Sequence, residues 1–287
     1  MRCNPNDKSL YSFLLASLQM ERILSDETPG DVKITLSKLT SNLDDYYDNA
    51  MERIKSIRPQ THSAMALSLL KWISHAQQPL KLVEAQYALA IRLDVNINSS
   101  QDHLSFIIDP FDPVAARCAG LVLVRDGNVI LAHETVQKYL STRKSTLFPD
   151  ADTEISQACL TYLLFEELGS GPCDTDEQFK IRIENFPFLN YSASFWVEHM
   201  REKSQSKVLT LTLRFLRSIG CLQSAIQAAY MHSTHGKEPC QTFPKSLTGL
   251  HVAVAGNLKT TVEALLENET NSSPKSEDGE TPLYQAA

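Results

Sequence analysis

Apolar residues recur at spacings of three and four along most of the chain, a period that predicts helices. Five of them share one face of a helix expected between residues 41 and 59: Leu43, Tyr46, Tyr47, Ala50 and Ile54. Ser41 with Asp44 three positions on resembles a capping box, and Pro59 is expected to stop this helix. The pattern as a whole predicts a mainly α fold.

A second helical stretch, from 63 to 94, has the pattern of two helices joined by a turn. We expect Pro79 near the start of the second helix, where its missing N–H costs least, and Leu93 near its end. A short helix after Phe111 would then close at Gly120, a suitable C-cap.

The period changes to that of strands in "LVLVRDGNVILAH", residues 121–133, where Asp126-Gly127 favours a type I′ hairpin turn. Two helices, a short helix and one β-hairpin, in this order, predict a winged-helix domain over 60–146. His133 lies where the second strand leads into a final helix. The inner side of that helix is expected to carry three residues: Val136, Tyr139 and Leu140.

Helical patterns dense in apolar residues return over 150–240 and predict a helical bundle or short solenoid. A repeat follows over 245–287, where "TGLHVAVAG" begins at Thr248 and "TPLYQAA" begins 33 positions later, at Thr281. A 33-residue period opening T-x-L-H-x-A is the ankyrin signature. We therefore expect the start of an ankyrin array, truncated in its second repeat, because about three repeats are needed for stability.

Composition narrows the class of protein. The 287 residues carry a formal charge of −7, whereas a general nucleic-acid binder shows a basic footprint. The six cysteines are scattered without a CxxC pair, which suits free thiols in a reducing compartment. No stretch approaches the roughly 18 to 20 apolar residues of a membrane span. We expect a cytoplasmic protein that does not bind a membrane.

The candidate chemistry is sparse. His133 begins an HExx sequence, as in a zinc-protease helix, but Gln137 stands where the second histidine is required. A second group has a spacing unlike familiar zinc sites: Cys221, His232, His235 and Cys240. There is no G-x-S-x-G elbow and no context that would activate a cysteine or histidine. We expect no metal, no catalytic residue and no enzyme activity.

A winged helix also raises the alternative of DNA binding. The expected recognition helix, however, carries only two basic residues beside two acidic ones: Lys81, Arg92, Glu84 and Asp94. This balance offers too little for phosphate neutralisation and groove contacts, so we expect no nucleic-acid partner.

In their order, these parts resemble the fungal STAND-type NTPases that join a NACHT module to a winged helix and an ankyrin array. "FLLASLQMERI" looks like a helix near the end of the NACHT module, whose tail would cover 1–58. "LTSNLDDYYDNAMERI" is similar to the family's "LP-x-x-L-x-x-x-Y-x-x-I" segment, with Thr40 and Ser41 replacing the usual Leu-Pro. "GLVLVRDGNVILAHETVQKYL" resembles its hairpin and "AH-x-S-V-x-x-YL" helix.

The resemblance implies a role for His133. In STAND proteins the histidine of a hydrophobic-His-acid motif touches the phosphate of the bound nucleotide, and Ala132-His133-Glu134 matches this pattern. The alternative is a histidine that only caps or packs the helix start. No G-x-x-x-x-G-K-[ST] phosphate loop is present. We therefore expect no cofactor within this chain, and a nucleotide only together with an upstream NTPase module.

The function implied by the resemblance is regulatory and non-catalytic. The chain would relay a nucleotide switch to an ankyrin array that binds protein partners, and oligomers would form in the full-length context. The first alternative is a free-standing ankyrin-type scaffold without an NTPase, and the second is a winged-helix DNA-binding protein.

Overall fold

The computed structural model describes residues 15–20, 23–24, 27–37, 39–91, 93, 98–107, 111–200, 202–268, 274–276, 279 and 281–285. Within these ranges the protein is mainly α-helical, as the hydrophobic period predicts. None of the described helices combines the length and the apolar character that crossing a bilayer requires.

The elements follow one another along the chain, and residues 15–20 are also helical. The first half contains α1 (Pro29–Ser37), α2 (Leu43–Ser56), α3 (Gln60–His75), β1 (Leu80–Lys81), α4 (Leu82–Ala90), α5 (Ser100–Leu104), α6 (Asp112–Ala116), β2 (Val122–Arg125), β3 (Asn128–Leu131) and α7 (Glu134–Leu147). The second half contains α8 (Ala151–Leu163), α9 (Asp176–Asn185), α10 (Leu189–Phe195), α11 (Glu202–Arg217), α12 (Ile219–Ser233), α13 (Gly249–Ala255), α14 (Lys259–Asn268) and α15 (Pro282–Gln285). Two 3-10 helices cover Glu166–Ser170 and Cys240–Thr242.

The chain divides into two compact units. The first comprises Met1–Leu70, Asp112–Leu123 and Leu131–Leu147. The second comprises Lys71–Phe111, Val124–Ile130 and Phe148–Ala287. Both units draw on the stretch for which the sequence predicts a winged helix, so that domain and its boundaries stay predictions.

In the first unit, α2 buries the predicted face. The buried side chains of this helix are Tyr46, Tyr47, Ala50, Met51 and Ile54. The helix ends at Ser56, before Pro59, as expected. The predicted cap is wrong by one position: Asn42, not Ser41, is the N-cap, and its side-chain oxygen accepts from the Asp45 N–H at 2.8 Å. Both residue types are good N-caps, so their order in the sequence could not decide between them.

The predicted hairpin is confirmed. Asp126 and Gly127 both have positive φ, 51° and 74°, which is the type I′ geometry that matches the twist of the flanking strands. The described strands form one sheet in the order β1–β3–β2, in which β1 is antiparallel to β3 and Leu80 faces Val129. The sequence pattern does not predict β1, because its two residues form a strand only by pairing with β3.

The strand β1 changes the start of the following helix. Pro79 precedes β1 rather than the helix, and α4 begins at Leu82. The predicted end is also wrong, since α4 stops at Ala90, while Leu93 lies beyond the helix with 47% of its surface exposed. Gly120 has φ +80° after α6, consistent with its expected role in ending a helix.

Aromatic rings form much of the core of the second unit. The Tyr162 ring lies 4.8 Å from that of Phe165 and 5.3 Å from that of Phe188, measured between centroids. Trp72 packs edge-on against Phe188 at 5.6 Å, and Tyr191 stacks on it at 5.4 Å. Such offset and edge-to-face pairs add to the free energy of simple area burial. Helices α8, α10, α11 and α12 pack around these rings.

The last described helices of this unit form successive layers. α13 and α14 contact each other, both pack against α11, and α15 packs against α13. Gly249 opens α13 where a side chain has no room, since a Cβ there would lie 2.6 Å from the Leu216 carbonyl oxygen. The close approach of α13 to α11 therefore depends on this glycine.

Candidate functional site

His133 stands at the junction of the hairpin and α7. The Ala132 N–H donates to the Leu121 carbonyl at 2.9 Å, which continues the hairpin pairing up to this point. The carbonyl of His133 then accepts from the Val136 N–H at 3.0 Å, and α7 begins at Glu134. The three predicted inner residues of α7 are buried: Val136, Tyr139 and Leu140. The expectation for this junction is therefore confirmed.

His133 caps α7 through one ring nitrogen. Its Nδ1 accepts from the backbone N–H of Thr135 at 3.1 Å, the bond that an N-cap side chain ordinarily makes to the second helical residue. A neutral imidazole that accepts at Nδ1 carries its proton on Nε2. The Nε2–H is thus a donor, and among the described residues it has no hydrogen-bond partner.

A chain of hydroxyl groups supports this arrangement. The Thr135 Oγ1 lies 2.9 Å from His133 Nδ1 and 2.6 Å from the Tyr47 hydroxyl. Because Nδ1 has no proton, Thr135 must donate to it, and Tyr47 must then donate to Thr135. No local sequence pattern indicates this contact, because Tyr47 and Thr135 are 88 positions apart. Burial raises the pKa of the Tyr47 hydroxyl, which keeps its proton available for donation.

A second contact joins α2 to α7 beside the first. The Tyr139 hydroxyl donates to Asp48 Oδ1 at 2.6 Å, and the Arg143 guanidinium lies over the Tyr139 ring at 4.3 Å from its centroid. Arg143 also approaches Asp44 at 3.7 Å and Asp48 at 3.8 Å. Burial, together with the bond to Asp48, raises the pKa of Tyr139 above its ordinary value. These contacts fix the helix that His133 caps.

This geometry accommodates both interpretations of His133. Its Nδ1 has a structural role, while the Nε2–H can donate to an oxygen acceptor such as a phosphate. The neighbouring network holds two carboxylates, Asp44 and Asp48, and one guanidinium, Arg143, which is a poor setting for a phosphate on its own.

The cysteine and histidine residues rejected as a zinc group have other partners. The Cys240 N–H donates to Asp176 at 2.7 Å, and His232 Nε2 lies 3.3 Å from the Gln78 side-chain oxygen. Burial raises the pKa of the Cys240 thiol to about 11, so the thiolate that zinc requires is disfavoured. Within the described ranges, no three histidine, cysteine or acidic residues come together to hold a metal ion.

A polar chain in the second unit joins residues that no sequence motif connects. The Tyr191 hydroxyl accepts from the Gln77 N–H at 3.2 Å and contacts His199 Nε2 at 3.1 Å, while His199 Nδ1 lies 3.5 Å from Asp152. The order acid, histidine, hydroxyl is that of a catalytic triad. His199 and Tyr191 are buried, however, with 0% of each surface exposed. The chain therefore stabilises the core and offers no access to a substrate.

Comparison with known proteins gives one distant similarity. No protein-family model matches the chain, and no solved structure matches it. The chain is similar to the azaphilone pigments biosynthesis cluster protein L of Monascus ruber, with 26% identity over 209 residues. The match covers 67% of this chain and 42% of that relative, so it spans less than half of the relative's length. A similarity of this degree relates the two proteins without assigning this chain to a family.

Proposed function

We propose that this chain is a non-catalytic regulatory and protein-interaction segment of a cytoplasmic STAND-type signalling protein. Its helices would relay the state of a nucleotide switch to an ankyrin array that binds protein partners. The observation that carries the proposal is the geometry of the T-x-L-H-x-A segment at Thr248, and the arrangement of His133 adds to it.

The residues of the T-x-L-H-x-A segment at Thr248 contact one another at the start of α13. His251 Nδ1 accepts from the Thr248 N–H at 3.1 Å and from its hydroxyl at 2.9 Å, which fixes the start of α13. His251 is buried, as are Leu250 and Ala253 of the same motif. Each residue of the motif thus has a structural task, as expected of a repeat whose helices stack on their neighbours.

The stacking of this region also favours a repeat array. α13 and α14 form a pair that packs on α11, and α15, which starts after the second T-P-L, packs on α13. Leu266 on α14 and Tyr284 on α15 are 44% and 68% exposed. Apolar surface of this kind is what a further repeat would cover, since each repeat buries its faces only against its neighbours.

His133 would serve as the sensing residue. The resemblance places a phosphate contact at this histidine, and the capped arrangement leaves an Nε2–H free to make it. An NTPase module would supply the remaining phosphate contacts. We propose no catalytic role, since the triad-like chain at His199 is closed to substrates. The biosynthesis cluster in the name of the Monascus ruber relative decides nothing on this point.

Sequencing the full-length transcript through both ends of this reading frame tests the proposal. We expect a phosphate-loop coding region upstream and further ankyrin repeats downstream. A transcript that encodes repeats but no phosphate loop would support the alternative of a free-standing scaffold. A transcript that encodes neither would overturn the proposal.

The full-length protein then allows a test of His133 itself. We expect His133→Ala to accelerate release of bound nucleotide by roughly tenfold or more, the effect of losing one hydrogen bond to a charged group. Gln137→Ala is the matched control, because Gln137 is exposed one turn further along α7. Equal release from both variants would leave His133 as a helix cap only.

A further inference from the structure

A cavity of about 650 Å³ lies in the second unit, between α10, α12 and the start of the predicted repeats. Its largest apolar walls are Phe195, Trp196, Phe215, Leu222, Ile226 and Val252. Small side chains on two helices, Ala193, Ala225 and Ala229, make room for it. The exposed residues Ser233 and Pro244 also line it, so it opens to solvent. This volume is within the range of small-molecule sites, which are mostly apolar with a few polar groups.

The charges of the lining restrict what can bind. Among the described residues, no lysine, arginine, aspartate or glutamate lines the cavity. A charged ligand would lose its hydration without gaining a partner, which is costly in an apolar site. A neutral ligand avoids this cost. Burial lowers the pKa of His232, so this lining histidine is also neutral at physiological pH.

The polar groups of the lining restrict the ligand further. Ser194 belongs to the lining, but its Oγ is inaccessible to a water-sized molecule and so does not face the cavity. The remaining polar side chains are few: Tyr230, His232, Ser233 and His235. An extended peptide, with a donor and an acceptor on each residue, would leave many of its groups unpaired here.

We propose that this cavity binds a neutral, ring-containing small molecule with one or two hydrogen-bonding oxygens. Its rings pack against the aromatic walls, where Trp196 and Phe215 already meet edge to face at 5.5 Å. Its oxygens bond to the few polar side chains of the lining, of which Tyr230 carries a hydroxyl on α12. The site is independent of nucleotide sensing at His133 and holds whether or not the STAND assignment is correct.

Occupancy of this site has a consequence for the predicted repeats. Val252 belongs to α13, whereas Ala193 and Ala225 belong to α10 and α12. A ligand that contacts all three helices binds only when α13 is in place, so binding stabilises the packing of α13. The ligand would thereby regulate the surface on which the repeats stack.

Binding of two neutral fluorescent probes to the purified chain tests the proposal. Prodan has a carbonyl oxygen on a naphthalene ring, and pyrene has rings of similar size without a polar atom. We expect both probes to bind in a saturable manner, with a blue shift of prodan emission. Ala229→Phe fills the cavity and should weaken both probes by roughly tenfold, through lost apolar contact area. Ile219→Phe is the matched control, because Ile219 is 77% exposed on the same helix and lies outside the cavity.

Tyr230→Phe is a conservative second variant, because it removes only a hydroxyl from the lining. We expect it to weaken prodan by roughly three- to tenfold, the worth of one hydrogen bond, and to leave pyrene unchanged. Circular dichroism and thermal melting confirm that each variant is folded before its affinity is compared. Two outcomes overturn the proposal: no saturable binding of either probe, or equal binding to Ala229→Phe and Ile219→Phe.

Discussion

The side chain of Gln227 joins three segments of the second unit. It is fully buried in α12. Its Oε1 accepts from the Cys173 N–H at 2.8 Å, while its Nε2 donates to the carbonyls of Cys173 at 2.8 Å and Cys240 at 3.0 Å. Gln227→Leu keeps a similar volume but removes all three bonds. Three backbone groups are then left buried without partners.

The expected loss follows from the cost of such groups. A buried donor or acceptor deprived of its partner costs about 1–3 kcal/mol, and the three groups partly share that cost because they are neighbours. We expect Gln227→Leu to lower the free energy of unfolding by about 3–5 kcal/mol, a large fraction of the stability of an ordinary domain. Urea denaturation followed by circular dichroism measures this loss as a shift of the midpoint at constant slope.

Gln223→Leu, on the same helix, is the control. Gln223 makes one bond to the surrounding loop, from its Nε2 to the Leu247 carbonyl at 2.8 Å, and it is half-buried. We expect this variant to lose about 1 kcal/mol. If Gln227→Leu lost no more than the control, the three bonds would not stabilise the fold and the reasoning would be refuted.

Three further predictions concern other parts of the chain. Gly220→Ala should lower the free energy of unfolding by about 3 kcal/mol or more, because a Cβ there lies 1.9 Å from a backbone carbonyl oxygen. Thermal melting should show a clear loss of stability for this variant and almost none for the control Gly30→Ala. Burial lowers the pKa of His103, and its Nδ1 has no partner in the described structure, so the folded state favours the neutral imidazole. The contribution of His103 to the free energy of unfolding should therefore be fully present above the unfolded-state pKa of 6.5, and it should fall as the pH drops from there toward the folded-state pKa. If His103→Phe lost as much stability in acid as the unmodified protein, this prediction would be contradicted. The ring nitrogens of His133 should show a protonated Nε2 and a bare Nδ1 by ¹⁵N NMR near pH 7.5, and the opposite tautomer would contradict the capping geometry.

The features that the sequence predicts correctly are those fixed by local chemistry. The hairpin depends on Asp126-Gly127, whose backbone preference acts within four residues, and the structure confirms it. The buried face of α2 follows from a simple helical period. By contrast, β1 consists of two residues whose conformation depends on pairing with Val129, far away in sequence. No periodicity can indicate so short a strand.

The candidate site shows the same division. The position of His133 at the start of a helix is predictable, because strand and helix periods meet at that residue. Its partner Tyr47 is not predictable, since the contact joins residues of two distant segments, and in the sequence Tyr47 matches the pattern of an ordinary apolar residue on a helix face. The cavity beside Trp196 is equally hidden, because its alanines and aromatic residues follow the same helical pattern as any core.

The packing of α13 on α11 has a consequence for the order of events on the ribosome. Domains form from the N-terminus onward during synthesis, so α11 is available before the segment that begins at Gly249 has left the tunnel. When α13 and α14 emerge, they can therefore pack directly on α11, which has already folded. A lesion within α11 would expose the faces of α13 and α14 that pack on it.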